Sequence, residues 1–142
     1  MKVHYTLLMM ILSAVLSVSV FTSCTKEMNN DGIWEYVNET VLDCTIRIYS
    51  NRDGKADFVN LQIPAGDRGA IYYEAYYMGS CVVNQYSDAL IEFSDGAKIE
   101  YTKRDGKVGN PLMEENYYIQ PMGDRFLLSL KITEDIHKEA LK

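Results

Sequence analysis

The chain has 142 residues, with 20 acidic against 14 basic side chains and a formal net charge of −6. An acidic surface repels a phosphate backbone, so nucleic acid is excluded as a partner class. The 11 tyrosines favour strands over helices, because aromatic side chains pack well on a pleated surface.

The first predicted element is a leader. Lys2 precedes an apolar run over 7–21 that is interrupted only by Ser13, Ser17 and Ser19. The run is shorter than the roughly 20 residues a spanning helix requires and has the positive flank of a signal h-region. It closes on Phe21-Thr22-Ser23-Cys24, which resembles the bacterial lipobox, with Phe21 where the usual pattern has leucine. The resemblance implies cleavage before Cys24 and acylation of that cysteine by palmitate-like chains. Residues 1–23 are then a lipoprotein signal peptide, Cys24 is the lipid attachment site, and a membrane is the first predicted partner. Two or more acyl chains make such an anchor stable. Thr25 stands where an inner-membrane retention signal has Asp, so the resemblance implies the outer membrane, with the periplasmic and cell-surface faces both open. Residues 24–32 are short and polar and read as the lipidated tether.

Residues 33–142 form the predicted domain, long enough for one hydrophobic core. Period-two alternation between turn signals predicts strands from here on. The first covers 33–38. The second, 42–49, turns Cys44, Ile46 and Ile48 inward and Thr45, Arg47 and Tyr49 outward. A turn at Asn51-Arg52-Asp53-Gly54 leads to a third strand over 56–63, with Val59, Leu61 and Ile63 on one face. The Gly- and Pro-rich stretch 64–69 is another turn. A fourth strand over 70–78 sends Ile71, Tyr73, Ala75 and Tyr77 to the core and Tyr72, Glu74 and Tyr76 outward. Strands over 89–93 and 98–102 form a hairpin about Asp95-Gly96, a pair that suits a type I′ turn. A flexible loop over 103–109 and a turn at 110–113 precede the last two strands. These cover 117–120 and 125–132, the latter with Phe126, Leu128, Leu130 and Ile132 inward. Thr133 reads as an N-cap for a short helix over 134–141, whose acids lie in the first turn and lysines in the last, as the helix dipole favours. About eight strands with short connections predict an all-β fold. The expected form is an antiparallel β-sandwich or partly open barrel with a short C-terminal helix. The connections are too short for the crossovers of a parallel sheet.

Asp88-Ala89-Leu90-Ile91-Glu92-Phe93-Ser94-Asp95-Gly96, Tyr101, Asn110-Pro111-Leu112, Asn116-Tyr117 and Thr133-Glu134-Asp135 together resemble small β-sandwich lipoproteins of gut-type Gram-negative anaerobes. The resemblance covers most of the domain. It implies the sandwich fold and the envelope location, and it brings no catalytic residues.

The catalytic menu is short. His4 lies in the leader, so His137 is the one histidine of the domain. It reads as a solvated helix residue. A zinc site or a serine triad would need more partners than that. No metal, cofactor or catalytic residue is expected. Glu114-Glu115 and Glu134-Asp135 are sequence neighbours, which does not set the separation a glycosidase pair requires. Residues 51–57 resemble a calcium loop only faintly, since Tyr49 stands where an acidic ligand would precede them. Asn38-Glu39-Thr40 fits the glycosylation pattern without further support. Lys103-Arg104-Asp105-Gly106-Lys107 is the one basic cluster and could meet an anionic ligand. Cys44 and Cys81 are either a disulfide or two buried thiols. The outward set Tyr72, Glu74 and Tyr76 is the candidate binding face, since exposed aromatic rings can stack on sugars or anchor a protein. The expected function is a non-enzymatic, lipid-anchored binding or interaction module whose partner is an envelope protein or a glycan. The alternatives are a small carboxylate-based envelope hydrolase and an accessory subunit of an outer-membrane surface complex.

Overall fold

The computed structural model describes residues 31–50, 57–73, 85–123 and 125–142. Within them the predicted alternation becomes eight strands: β1 (Gly32–Asn38), β2 (Cys44–Tyr49), β3 (Val59–Ile63), β4 (Arg68–Tyr73), β5 (Asp88–Phe93), β6 (Lys98–Thr102), β7 (Tyr118–Met122) and β8 (Arg125–Ile132). One helix, α1 (Glu134–Ala140), closes the chain. The strands form two four-stranded sheets, β4-β1-β8-β7 and β3-β2-β5-β6, that face each other as a sandwich and do not close into a barrel.

The burial pattern explains the pairing. In β1 and β2 every second residue is buried and the others are half-buried, as expected of central strands with one face on a core. Cys44, Ile46 and Ile48 point inward as their spacing predicts, as do Val59, Ile63, Leu128, Leu130 and Ile132. One half of the core is aromatic. The Trp34 ring meets the edges of Phe58 at 5.5 Å and Tyr117 at 5.1 Å, and Phe58 stacks on Tyr86 at 5.2 Å.

All pairs are antiparallel except one. β1 and β8 run parallel, from Gly32 opposite Phe126 to Asn38 opposite Ile132. A parallel pair needs a long connection, and here the connection is the whole intervening chain. The β5–β6 turn also differs from expectation. Phe93 O accepts from Gly96 N at 2.9 Å and Phe93 N donates to Ala97 O at 2.8 Å, while only Gly96 has a positive φ, of 90°. This is a three-residue loop with a glycine bulge rather than a type I′ turn, which needs two positive φ values. Thr133 does occupy the N-cap position of α1 but makes no side-chain cap hydrogen bond. The loop after β6 is pinned by Asp105, which accepts from Thr102 N at 2.7 Å, Asn110 Nδ2 at 3.0 Å and Lys107 N at 3.1 Å.

The two ends of the sandwich differ. At one end lie the β1–β2, β3–β4 and β5–β6 connections and the start of α1. At the other end β1 begins, β4 and β7 finish, β8 starts and the 103–107 loop leaves β6. The described chain begins at this second end, at Asp31.

Candidate interaction surface

The two outer faces are chemically unlike, and strand register sets what each presents. On the β4-β1-β8-β7 sheet one row runs Tyr72, Ile33, Leu127, Gln120, and the next Ala70, Glu35, Ser129, Tyr118. On the β3-β2-β5-β6 sheet the rows run Gln62, Thr45, Glu92, Lys98 and Asn60, Arg47, Leu90, Glu100. The first face sets Tyr72, Ile33, Leu127 and Tyr118 among polar residues and continues into the row Arg68, Val37, Lys131, whereas the second is almost wholly polar.

The apolar face is held in shape by its polar residues. Glu35 lies at its centre, accepting from Arg68 Nη1 at 3.1 Å and from Ser129 Oγ at 3.0 Å. Tyr72, 47% exposed, donates its hydroxyl to Asp31 Oδ2 at 2.9 Å. The Arg125 guanidinium sits 5.1 Å from its ring, within cation–π range. The ring is therefore fixed rather than free to sweep the surface. Tyr72 is outward as the sequence implies; Glu74 and Tyr76 lie outside the described residues. The sequence reading missed the other half of the face. Tyr118 is 71% exposed and Met122 48% exposed, both on β7, an edge strand exposed along its length. Pro121 inside β7 could have signalled an edge, since proline is confined to such strands.

Cys44 is a buried thiol. Burial, and then the Asp43 carboxylate, push it up to about 11. Since the thiolate is the nucleophile, only about one molecule in a thousand is reactive at pH 8. Alkylation of the native protein at pH 8 should leave Cys44 unmodified, with full modification after denaturation, as read by peptide mass. Cys81, its partner if the two form a disulfide, lies outside the described residues, as does Cys24.

His137 is not the solvated residue its sequence context suggests. Its side chain is 14% exposed and its Nε2 lies 2.7 Å from Asp95 Oδ2. Its ring packs edge-on against Phe93 at 4.8 Å. The Asp95 carboxyl is held below the usual range, first by the Ala97 N–H and then by His137. The pair ties α1 to the β5–β6 turn. No long-range spacing rule links Asp95 to His137, so only the fold brings them together.

A depression of about 630 Å³ beside the β1–β2 and β3–β4 connections is lined by Asp43 and Glu92 among others. Asp43 Oδ1 accepts the Ala65 N–H at 2.9 Å, so this carboxylate is spent on holding a turn. Glu114 and Glu115 lie exposed on a single 3-10 turn. Asp57, from the faint calcium pattern, bonds Arg47 at 3.0 Å, and residues 51–56 lie outside the described residues. Among the described residues no group of three or more His, Cys, Asp or Glu is placed to hold a metal ion. Asn38 is fully buried, so the glycosylation pattern presents no accessible amide. Comparison with known proteins finds no matching family model, no matching curated protein and no matching solved structure.

Proposed function

We propose that this chain is a lipid-anchored interaction module of the cell envelope, without catalytic activity, that engages an envelope protein or glycan through the outer face of the β4-β1-β8-β7 sheet. The observation that carries this reading is the contrast between the two outer faces. Tyr118, Tyr72, Ile33 and Leu127 gather on one, whereas the other is laced with polar groups such as the Arg47–Asp57 pair. Tyr72, exposed yet held by Asp31 and Arg125, brings apolar area at little entropic cost, as binding anchors do. The lipid anchor itself rests on the leader and Cys24. A second reading, an accessory subunit of an outer-membrane surface complex, is favoured by β7, where Tyr118 and the 42% exposed Ile119 leave both faces of an edge strand uncovered.

A photo-reactive residue placed at Tyr118 in intact cells should yield discrete adducts that the same residue at Thr45, on the polar face, does not. Adducts from Thr45 alone, or equal adducts from both positions, would overturn the assignment of the face. A glycan ligand would appear as array binding that is lost in Tyr118→Ala.

A further inference from the structure

We infer that the tether end of the sandwich seats directly on an anionic phospholipid surface, which fixes the orientation of the domain; the inference rests on the lipid-anchor reading above. The chain reaches the fold at Asp31, whose backbone oxygen accepts from Phe126 N at 3.1 Å. Between Cys24 and Gly32 a fully extended chain spans at most about 29 Å, at roughly 3.3–3.6 Å per residue. The end that the chain enters is therefore held close to the bilayer, while the opposite end stands off by the length of the strands.

The chemistry of the two ends matches that placement. At the entry end Tyr72, Met122 and Arg125 surround Asp31, as the pairing of Gly32 with Tyr73 and of Met122 with Arg125 requires. Lys103 and Arg104, both exposed, leave β6 at the same end, since Thr102 pairs with Asp88 and Tyr49 with Asp88 in turn. Tyrosine rings sit at the headgroup level of bilayers, and arginine reaches phosphate while its stem lies on apolar surface. Basic side chains close to an anionic leaflet add attraction that decays within a Debye length. The opposite end carries Asp43, Asp67, Asp95, Glu134 and Asp135, which the same leaflet repels. The entry end also holds Asp31, which accepts from Tyr72, Asp105, which accepts from the Thr102 and Lys107 N–H groups, and Asp88, and the opposite end also holds Arg68, Lys98 and Lys131. An acidic protein can meet an anionic surface when its basic residues lie at the end its tether holds there. Because the anchor makes the contact intramolecular, weak individual contacts suffice to orient the domain.

The test uses the full acylated chain reconstituted in vesicles of phosphatidylethanolamine and phosphatidylglycerol, with brominated lipids as quenchers. Trp34, the single tryptophan, is buried and gives a constant baseline. In Met122→Trp the added emission should be largely lost to brominated lipid, whereas in Asp67→Trp, at the acidic end, it should persist. Lys103→Glu combined with Arg104→Glu should restore the emission of Met122→Trp in anionic vesicles. Vesicles that float with acylated protein yet quench both added tryptophans equally, or neither, would overturn the seat and leave the anchor standing. A chain that mass analysis shows unacylated at Cys24, and that does not float, would overturn the anchor and the seat with it.

Discussion

Asn38→Leu should destabilise the fold by about 2–4 kcal/mol, because one side-chain amide ties two connections together. Asn38 ends β1, is fully buried, and its two Nδ2 hydrogens are shared among Leu42 O at 2.7 Å, Pro64 O at 3.1 Å and Ile63 O at 3.2 Å. Its Oδ1 accepts from Thr40 Oγ1 at 2.8 Å and Thr40 N at 3.1 Å. The β1–β2 loop and the β3–β4 turn are therefore tied together through a group that belongs to neither. Leucine fills the volume but takes the acceptor from the buried Thr40 N–H and a donor from Ile63 O, while Leu42 O keeps Thr40 Oγ1 and Pro64 O keeps the Asp67 N–H; each lost buried bond costs about 1–3 kcal/mol. A domain has only about 5–15 kcal/mol in total, so the loss is a large fraction of it. The measurement is urea unfolding followed by Trp34 fluorescence, with a lower midpoint at unchanged slope. Asn38→Asp separates hydrogen bonding from packing. A carboxylate keeps the acceptor role of Oδ1 but turns a second negative oxygen toward three carbonyl oxygens, so the folded state raises its pKa above the unfolded value. The deficit is then largest at neutral pH and shrinks as pH falls through the folded pKa, because protonation restores a donor. A deficit independent of pH would show that the amide donor is not what the site requires.

The strands were legible because their cores are written at period two. Cys44, Ile46 and Ile48 alternate with Thr45, Arg47 and Tyr49, and that pattern alone sets which face of β2 is buried. The hairpin at Asp95-Gly96 was legible as a turn but not as its type, since a glycine bulge and a type I′ turn share the Asp-Gly signal. Partners distant in sequence were not legible. Nothing local in Gly32–Asn38 says that it pairs in parallel with Arg125–Ile132, because that choice depends on which edges remain open once every hairpin has formed. The candidate surface divides the same way. Tyr72 could be read outward from its own strand, whereas its hydroxyl bond to Asp31 and the guanidinium of Arg125 depend on three strands meeting at one end. Tyr118 became part of the surface only because β7 took an edge.

Gly109→Ala should cost about 2–5 kcal/mol, from two causes that can be separated. Gly109 has φ +66, and a Cβ there would lie 2.3 Å from Ile136 Cδ1 and 3.0 Å from its Cγ1. Left-handed backbone costs a residue with a Cβ about 1–2 kcal/mol, and forcing a methyl into a packed core typically adds about 1–3 kcal/mol. Ile136 cannot swing aside, since it is 1% exposed and is the buried residue of α1. The 103–109 loop, which reads from sequence as a flexible connection, thus serves as the surface on which the C-terminal helix rests. Gly106→Ala is the control. Its φ is +64 with nothing within 4 Å of the added Cβ, so it should show the backbone cost alone. Ile136→Val removes Cδ1 and by itself should cost about 0.5–1.5 kcal/mol. Combined with Gly109→Ala it should cost less than the sum, because the shortened side chain makes room for the new methyl. Residues in direct contact are where such couplings arise. Strict additivity in unfolding experiments on the four proteins would mean that α1 does not bear on Gly109, and the helix would then be held chiefly by the His137–Asp95 clasp.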